Sequence, residues 1–138
     1  MESLLPEMDK NVSLLEELRD VSREQFVRDP KVHLFAERCF QLAIQCLVDS
    51  SYRLAADDGW PKPQDSAAAL KLLVERGVLP SEFGRKIEGM VSFRDVLVHA
   101  YLHIDRSIVH SKLAEISDFR AYQRHVLQYL TQRQKRGS

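Results

Sequence analysis

The stretch of about residues 30–57 is the most apolar in this chain, and it limits the fold more than any other feature. Asp29-Pro30 reads as an N-cap followed by a first-turn proline, so a helix opens there. Phe35, Cys39, Leu42 and Cys46 then form one seam at 4-3-4 spacing, and Phe40, Ile44, Leu47 and Val48 widen it. A helix apolar over so much of its circumference has to be covered by other elements and is expected at the centre of a bundle.

The rest of the chain supplies that cover. Met8, Val12 and Leu15 make a helical stripe, with Leu14, Leu18 and Val21 beside it, which predicts a helix over about 7–27. Asp57-Asp58-Gly59-Trp60-Pro61-Lys62-Pro63 is a loop by composition, in which Trp60 is expected to act as a lid over the core. A short helix follows at about 65–76, with Ala67, Leu70, Leu73 and Val74 inward and Gly77 as the C′ residue. Pro80-Ser81 starts a helix running through Ile87, Met90, Val91 and Val98. A last helix, about 107–132 and capped by Asp105 or Ser107, repeats Phe119, Tyr122, Val126 and Tyr129 at 3-4-3 spacing. The tail 133–138 is polar and expected to fray. No period-2 strand pattern of useful length occurs, so the expected fold is all-α, an up-and-down bundle of four to five helices.

At 138 residues the chain has the size of one domain, 1–138, and can bury roughly two thirds of its unfolded surface. Twenty basic and 20 acidic residues leave a net charge of zero, which argues against a small, strongly basic nucleic-acid binder. The balance is uneven along the chain: residues 1–75 hold 9 basic and 14 acidic side chains, residues 76–138 hold 11 and 6. A neutral total can thus still offer a positive surface to an anion, from a half that holds Arg94, Arg106, Arg133, Lys135 and Arg136. Cys39 and Cys46, about 10 Å apart on one helix, are too distant for a mutual disulfide and read as reduced core residues. The acidic start (Glu2, Glu7, Asp9) does not suit a signal peptide, and no run of 18 apolar residues spans a membrane, so a cytoplasmic location is expected.

Reactive side chains are densest in Phe93-Arg94-Asp95-Val96-Leu97-Val98-His99-Ala100-Tyr101-Leu102-His103. On a continuous helix Asp95, His99 and His103 share a face, while Arg94 lies about 140° from His99. Arginine can hold a phosphate or stabilise developing charge, and a histidine can move a proton at neutral pH. Together they suit phosphodiester chemistry in which the substrate's own 2′-hydroxyl attacks. The plain alternative is a solvated helix face with an i,i+4 hydrogen bond. A metal site is not expected: the His99/His103 pair lacks HExxH and no Cys/His cluster completes it. His33, His110 and His125 are isolated and receive no role.

The run Met90-Val91-Ser92-Phe93-Arg94-Asp95-Val96-Leu97-Val98-His99-Ala100-Tyr101, continued by Ile104-Asp105, resembles the HepT-like family of prokaryotic HEPN proteins. There the stretch reads as an arginine, a polar residue, an apolar stretch, a histidine, one residue and a tyrosine. The apolar helix around Arg38–Leu54, the Pro/Trp loop, the short helix and the final helix follow in the same order. The resemblance covers about residues 8–132.

It implies a metal-independent endoribonuclease toxin of a type VII toxin–antitoxin pair, needing no cofactor and homodimeric, with the Arg/His motifs of both subunits facing one cleft. Carried over, Arg94 would polarise the scissile phosphate of RNA and His99 would serve as general base or acid. Asp95 would orient His99 or substrate where asparagine is the commoner choice; its carboxylate would bring negative charge beside RNA and would favour the protonated form of His99. Tyr101 matches the tyrosine that a cognate MntA-type minimal nucleotidyltransferase modifies with AMP. A different class of function fits the same resemblance: a non-catalytic HEPN module that pairs with a nucleotidyltransferase and binds its nucleotide or substrate.

Overall fold

Asp29 marks the start of the element on which the others pack. Its backbone N–H donates to Gln25 O, closing one helix, while its carboxylate accepts from the Lys31 N–H at 3.0 Å and opens the next. The computed structural model describes residues 1, 3–99 and 104–136, with His99 described by its backbone alone. Seven α-helices occur among these residues: α1 (Leu4–Glu16), α2 (Arg23–Arg28), α3 (Pro30–Asp57), α4 (Ser66–Glu75), α5 (Ser81–His99), α6 (Arg106–Lys112) and α7 (Ser117–Arg136). A 3₁₀ turn (Leu113–Glu115) joins the last two. No strand occurs among the described residues, and no helix there is long and apolar enough to cross a membrane.

The all-α bundle is the expected one, with α3 inside it, but its helix number is higher because two expected helices are each broken. Residues 17–22 interrupt the first. Leu18, Arg19 and Val21 donate to carbonyls three residues back, the tighter turn that ends a helix, and Ser22 Oγ then accepts from the Gln25 N–H at 3.1 Å. Ser22-Arg23-Glu24-Gln25 has the sequence of a capping box, a local start signal inside the stretch expected to be one helix. The second break, at Leu113–Glu115, carries no glycine or proline. The 3₁₀ turn keeps Leu113, Ile116 and Phe119 all buried, so packing decides it.

The core is continuous. From α3 it takes Ala36, Cys39, Phe40, Ala43, Ile44, Cys46, Leu47 and Leu54, and it is covered by Met8, Val12 and Leu15 of α1, Ile87 and Met90 of α5, and Phe119, Tyr122 and Val126 of α7. The seam is rotated from the expected one: Phe35 is exposed and Leu42 half-buried, while Ala36, Phe40, Ala43 and Leu47 are fully buried. Val98 is likewise exposed. Both cysteines are buried free thiols, and burial pushes each thiol pKa up. Gly77, at φ +79°, closes α4 as the C′ residue. The tail does not fray at 133: α7 continues to Arg136, anchored where Asp58 accepts from both Arg133 and the Tyr129 hydroxyl.

One polar knot lies in the core. The Tyr122 hydroxyl is 2.7 Å from Ser50 Oγ, 2.7 Å from Ser51 Oγ and 3.1 Å from Leu47 O. Burial pushes its pKa up to about 12, against the opposing effect of the two serines. Above pH 10 the unfolded tyrosine loses its proton first, so stability falls as pH rises from 10 to about 12. This part of the loss amounts to roughly 3 kcal/mol and is absent in Tyr122→Phe, as urea unfolding across that range will show. At neutral pH the same variant loses about 1–2 kcal/mol. A pair of glycines in α5 provides a second check. A Cβ at Gly84 meets Val74 Cγ2 at 2.5 Å, whereas one at Gly89 meets nothing within 4 Å. Thermal unfolding should find Gly84→Ala destabilised by about 1–3 kcal/mol and Gly89→Ala stabilised by about 0.5–1 kcal/mol.

Candidate functional site

α5 carries the motif residues, and its packing decides how each is presented. Ile87, Met90, Val91, Phe93 and Leu97 point into the core, with the Phe93 ring edge-on to Phe40 at 5.5 Å between centroids. Ser92, Asp95, Val96 and Val98 face solvent. Arg94 falls between the two sets and is half-buried where α5 meets α3. Its stem can thus rest against the protein while its charged head reaches water.

The guanidinium has one hydrogen-bond partner among the described residues: Arg94 Nη1 donates to Gln45 Oε1 at 3.4 Å. Gln45 Nε2 in turn donates to Asp49 Oδ1 at 2.8 Å, one turn further along α3. Arg94 makes no ion pair with a carboxylate among the described residues. Neither Gln45 nor Asp49 was legible as a site residue. They lie in the most apolar helix of the chain, and only the packing of α5 on α3 brings them to Arg94.

The other flank of Arg94 is acidic. A hollow of about 230 Å³ is lined by Asp65, Ser66, Glu88, Ser92, Arg94 and Asp95. Asp65 is committed to capping α4, where it accepts from the Ala68 N–H at 2.8 Å. Asp95 and His99 are one turn apart on a helix that runs unbroken to His99, so the backbone sets them on one face. The His99 side chain, Tyr101 and His103 lie outside the described residues. Among the described residues no three Cys, His, Asp or Glu side chains converge as a metal site.

Part of the expected positive face of the C-terminal half is engaged elsewhere. Arg106 pairs with Glu37 at 3.5 Å, Arg120 with Asp9 and with Glu16 at 2.7 Å, and Arg133 with Asp58. Each acid comes from the first 75 residues. The charge asymmetry along the sequence thus becomes ion pairing that ties the late helices to α1, α3 and the loop after α3. Pairing with Glu16, foremost, raises the Arg120 pKa further above its ordinary value.

The three isolated histidines are structural. His33 Nδ1 donates to Phe26 O at 2.9 Å, His110 Nε2 donates to Val21 O at 2.8 Å, and His125 lies 5.1 Å from the Phe83 ring. Two of them satisfy carbonyls left free around the short α2. Trp60 is half-buried, edge-on to Tyr129 at 6.0 Å and beneath the Arg76 guanidinium at 5.5 Å, the arrangement of a lid.

Solved structures share this arrangement of helices. The cytosolic protein YutE of Bacillus subtilis, of unknown function, aligns with a TM-score of 0.79 at 18% identity, over 96% of this chain and 92% of its own. A tri-AMPylated Shewanella oneidensis HEPN toxin in complex with an MNT antitoxin aligns at 0.79 and 16% identity, over 93% and 99%. A mutant MntA–HpeT toxin–antitoxin complex aligns at 0.81 and 16% identity, over 91% and 95%. At these identities the likeness is one of fold. No curated protein matches the sequence. The family model described as Ribonuclease HepT-like matches residues 8–126, nearly the whole bundle, and the chain belongs to the HepT-like ribonuclease family.

Proposed function

We propose that this protein is the endoribonuclease toxin of a toxin–antitoxin pair, cleaving RNA through Arg94 and His99 without a metal ion. The observation that carries the reading is an arginine half-buried at the rim of α5, free of carboxylate partners among the described residues, five positions before His99 on the same unbroken helix. Membership of the HepT-like family supports it, as does a fold shared with a HEPN toxin in complex with an MNT antitoxin. The 2′-hydroxyl of RNA attacks the adjacent phosphorus: the new 2′-O–P bond forms and the bond to the 5′-oxygen breaks. One His99 takes the 2′-hydroxyl proton, and a protonated His99 of a second subunit gives one to the departing 5′-oxygen. Arg94 stabilises the negative charge that grows on the phosphoryl oxygens. Asp95, one turn before His99, orients its imidazole. This division of labour needs a homodimer whose two motifs face one cleft.

Tyr101, two residues past His99, is the proposed site at which an MntA-type nucleotidyltransferase partner adds AMP. The adenylyl phosphate places negative charge where the RNA backbone must enter and adds bulk beside His99.

One observation favours a second reading. Asp65, Glu88 and Asp95 crowd the hollow beside Arg94, and carboxylates oppose a polyanion. Under that reading the bundle binds its nucleotidyltransferase partner and cleaves nothing. Purified protein, incubated with RNA in a chelator, separates the two. Cleavage is expected, and Arg94→Ala and His99→Ala should each lower the rate by about 10²–10⁴-fold with melting temperatures unchanged. An inactive parent, or a fully active His99→Ala, would leave the binding module as the better account. Co-expression with the nucleotidyltransferase should add adenylyl mass to the parent and none to Tyr101→Phe, as intact-protein mass spectrometry reads directly.

A further inference from the structure

Several arginines of this fold are tied down by carboxylates, whereas Arg38 and Arg94 each donate to a glutamine, Arg38 to Gln41 in its own helix and Arg94 to Gln45 across two helices. Arg53, Arg106, Arg120 and Arg133 are paired with carboxylates, which neutralise them. Arg94 is held instead by an amide, Gln45 Oε1, and that amide is itself held by Asp49. A guanidinium only donates hydrogen bonds and a carboxylate only accepts them. The Gln45 amide therefore has one orientation in which both are satisfied, with oxygen toward Arg94 and nitrogen toward Asp49. Asp49 sets the amide, and the amide sets the arginine.

The residue type at 45 matters because it joins a cation to an anion while keeping them apart. Asp49 is not within ion-pair distance of Arg94, so its charge fixes the amide without cancelling the guanidinium. A glutamate at 45 would accept from Arg94 equally well but neutralise it, and would face Asp49 one turn away with a like charge. An apolar residue would leave a long side chain to find its aim from solution, at the cost of its rotamer freedom. The opposite flank of Arg94 holds Asp65, Glu88 and Asp95. The neutral amide therefore adds no further negative charge to the surroundings of the guanidinium.

We infer that Gln45, oriented by Asp49, is a positioning residue for Arg94: it fixes the guanidinium toward a phosphate diester while leaving its charge uncompensated. The inference rests on the ribonuclease reading above. Gln45 and Asp49 are both exposed, so substitutions there leave the core alone.

Two variants probe the two halves of the idea and separate kcat from KM. Gln45→Met removes the anchor and keeps the charge free, so kcat should fall about tenfold with KM within about twofold of the parent. Gln45→Glu keeps an acceptor but neutralises the guanidinium, so KM should rise about tenfold, with equally weaker binding of a non-cleavable 2′-O-methyl oligoribonucleotide. Arg94→Ala is the reference. An inactive parent, or an Arg94→Ala protein as active as the parent, sinks the ribonuclease reading and this inference with it. If the parent cleaves and Arg94→Ala does not, parental kcat and KM in both Gln45 variants overturn the inference alone. The same holds for equal losses in the two variants that track a lowered melting temperature, since that pattern belongs to folding.

Discussion

α3 touches all six other helices, and the bundle depends on that. Thirteen of its 28 residues are buried, on faces turned toward different neighbours. Such a helix has little stability by itself in water, since most helical stability in proteins comes from packing an apolar face. Its neighbours are short by comparison and gain their burial from it. The Tyr122 hydroxyl, set among Ser50, Ser51 and the Leu47 carbonyl, adds direction to this otherwise non-directional packing. A phenol buried there has its partners only in one register of α7 on α3, and an unpaired buried hydroxyl is costly.

Electrostatics works on the same geometry from outside. Arg120 clasps α7 to α1 through Asp9, Ser13 and Glu16; Arg106 ties α6 to α3 through Glu37; Arg133 ties the end of α7 to Asp58. Ion pairs near a surface contribute little each to stability, although that between Arg106 and Glu37 is largely buried. Their larger consequence is what they remove from the surface. Arg94, by contrast with these, has an uncharged amide from another helix as its partner. Zero net charge is then compatible with anion recognition at one point, and ill suited to broad contact along a nucleic-acid backbone.

The proposed chemistry is correspondingly local. One arginine aimed by Gln45, one histidine a turn beyond Asp95 and one tyrosine beside it occupy eight consecutive positions, 94–101. A single adenylyl group near them could disturb all three. The α5 helix serves two purposes at once: Phe93 and Leu97 bind it to the core, and the residues between them face outward. Any shift in its register would change the packing and the presentation of Arg94 together.

The sequence by itself determined the all-α class, the central helix with its Asp29 cap and Pro30 start, the Gly77 stop and the order Arg94, Asp95, His99, Tyr101. These follow from local rules: apolar periodicity, capping chemistry and backbone preference act over a few residues and are written in the chain. Tertiary structure decided what depends on residues far apart. It broke the last helix at Leu113–Glu115 without a breaker residue, because three buried side chains needed a tighter turn. It rotated the α3 seam so that Phe35 faced water and Ala36 was buried. It converted the charge asymmetry of the two halves into ion pairs between them. It also brought Gln45, 49 positions away in sequence, to Arg94. Electrostatic and hydrogen-bonding partners depend on distance in space, which the order of residues leaves open until the helices have packed.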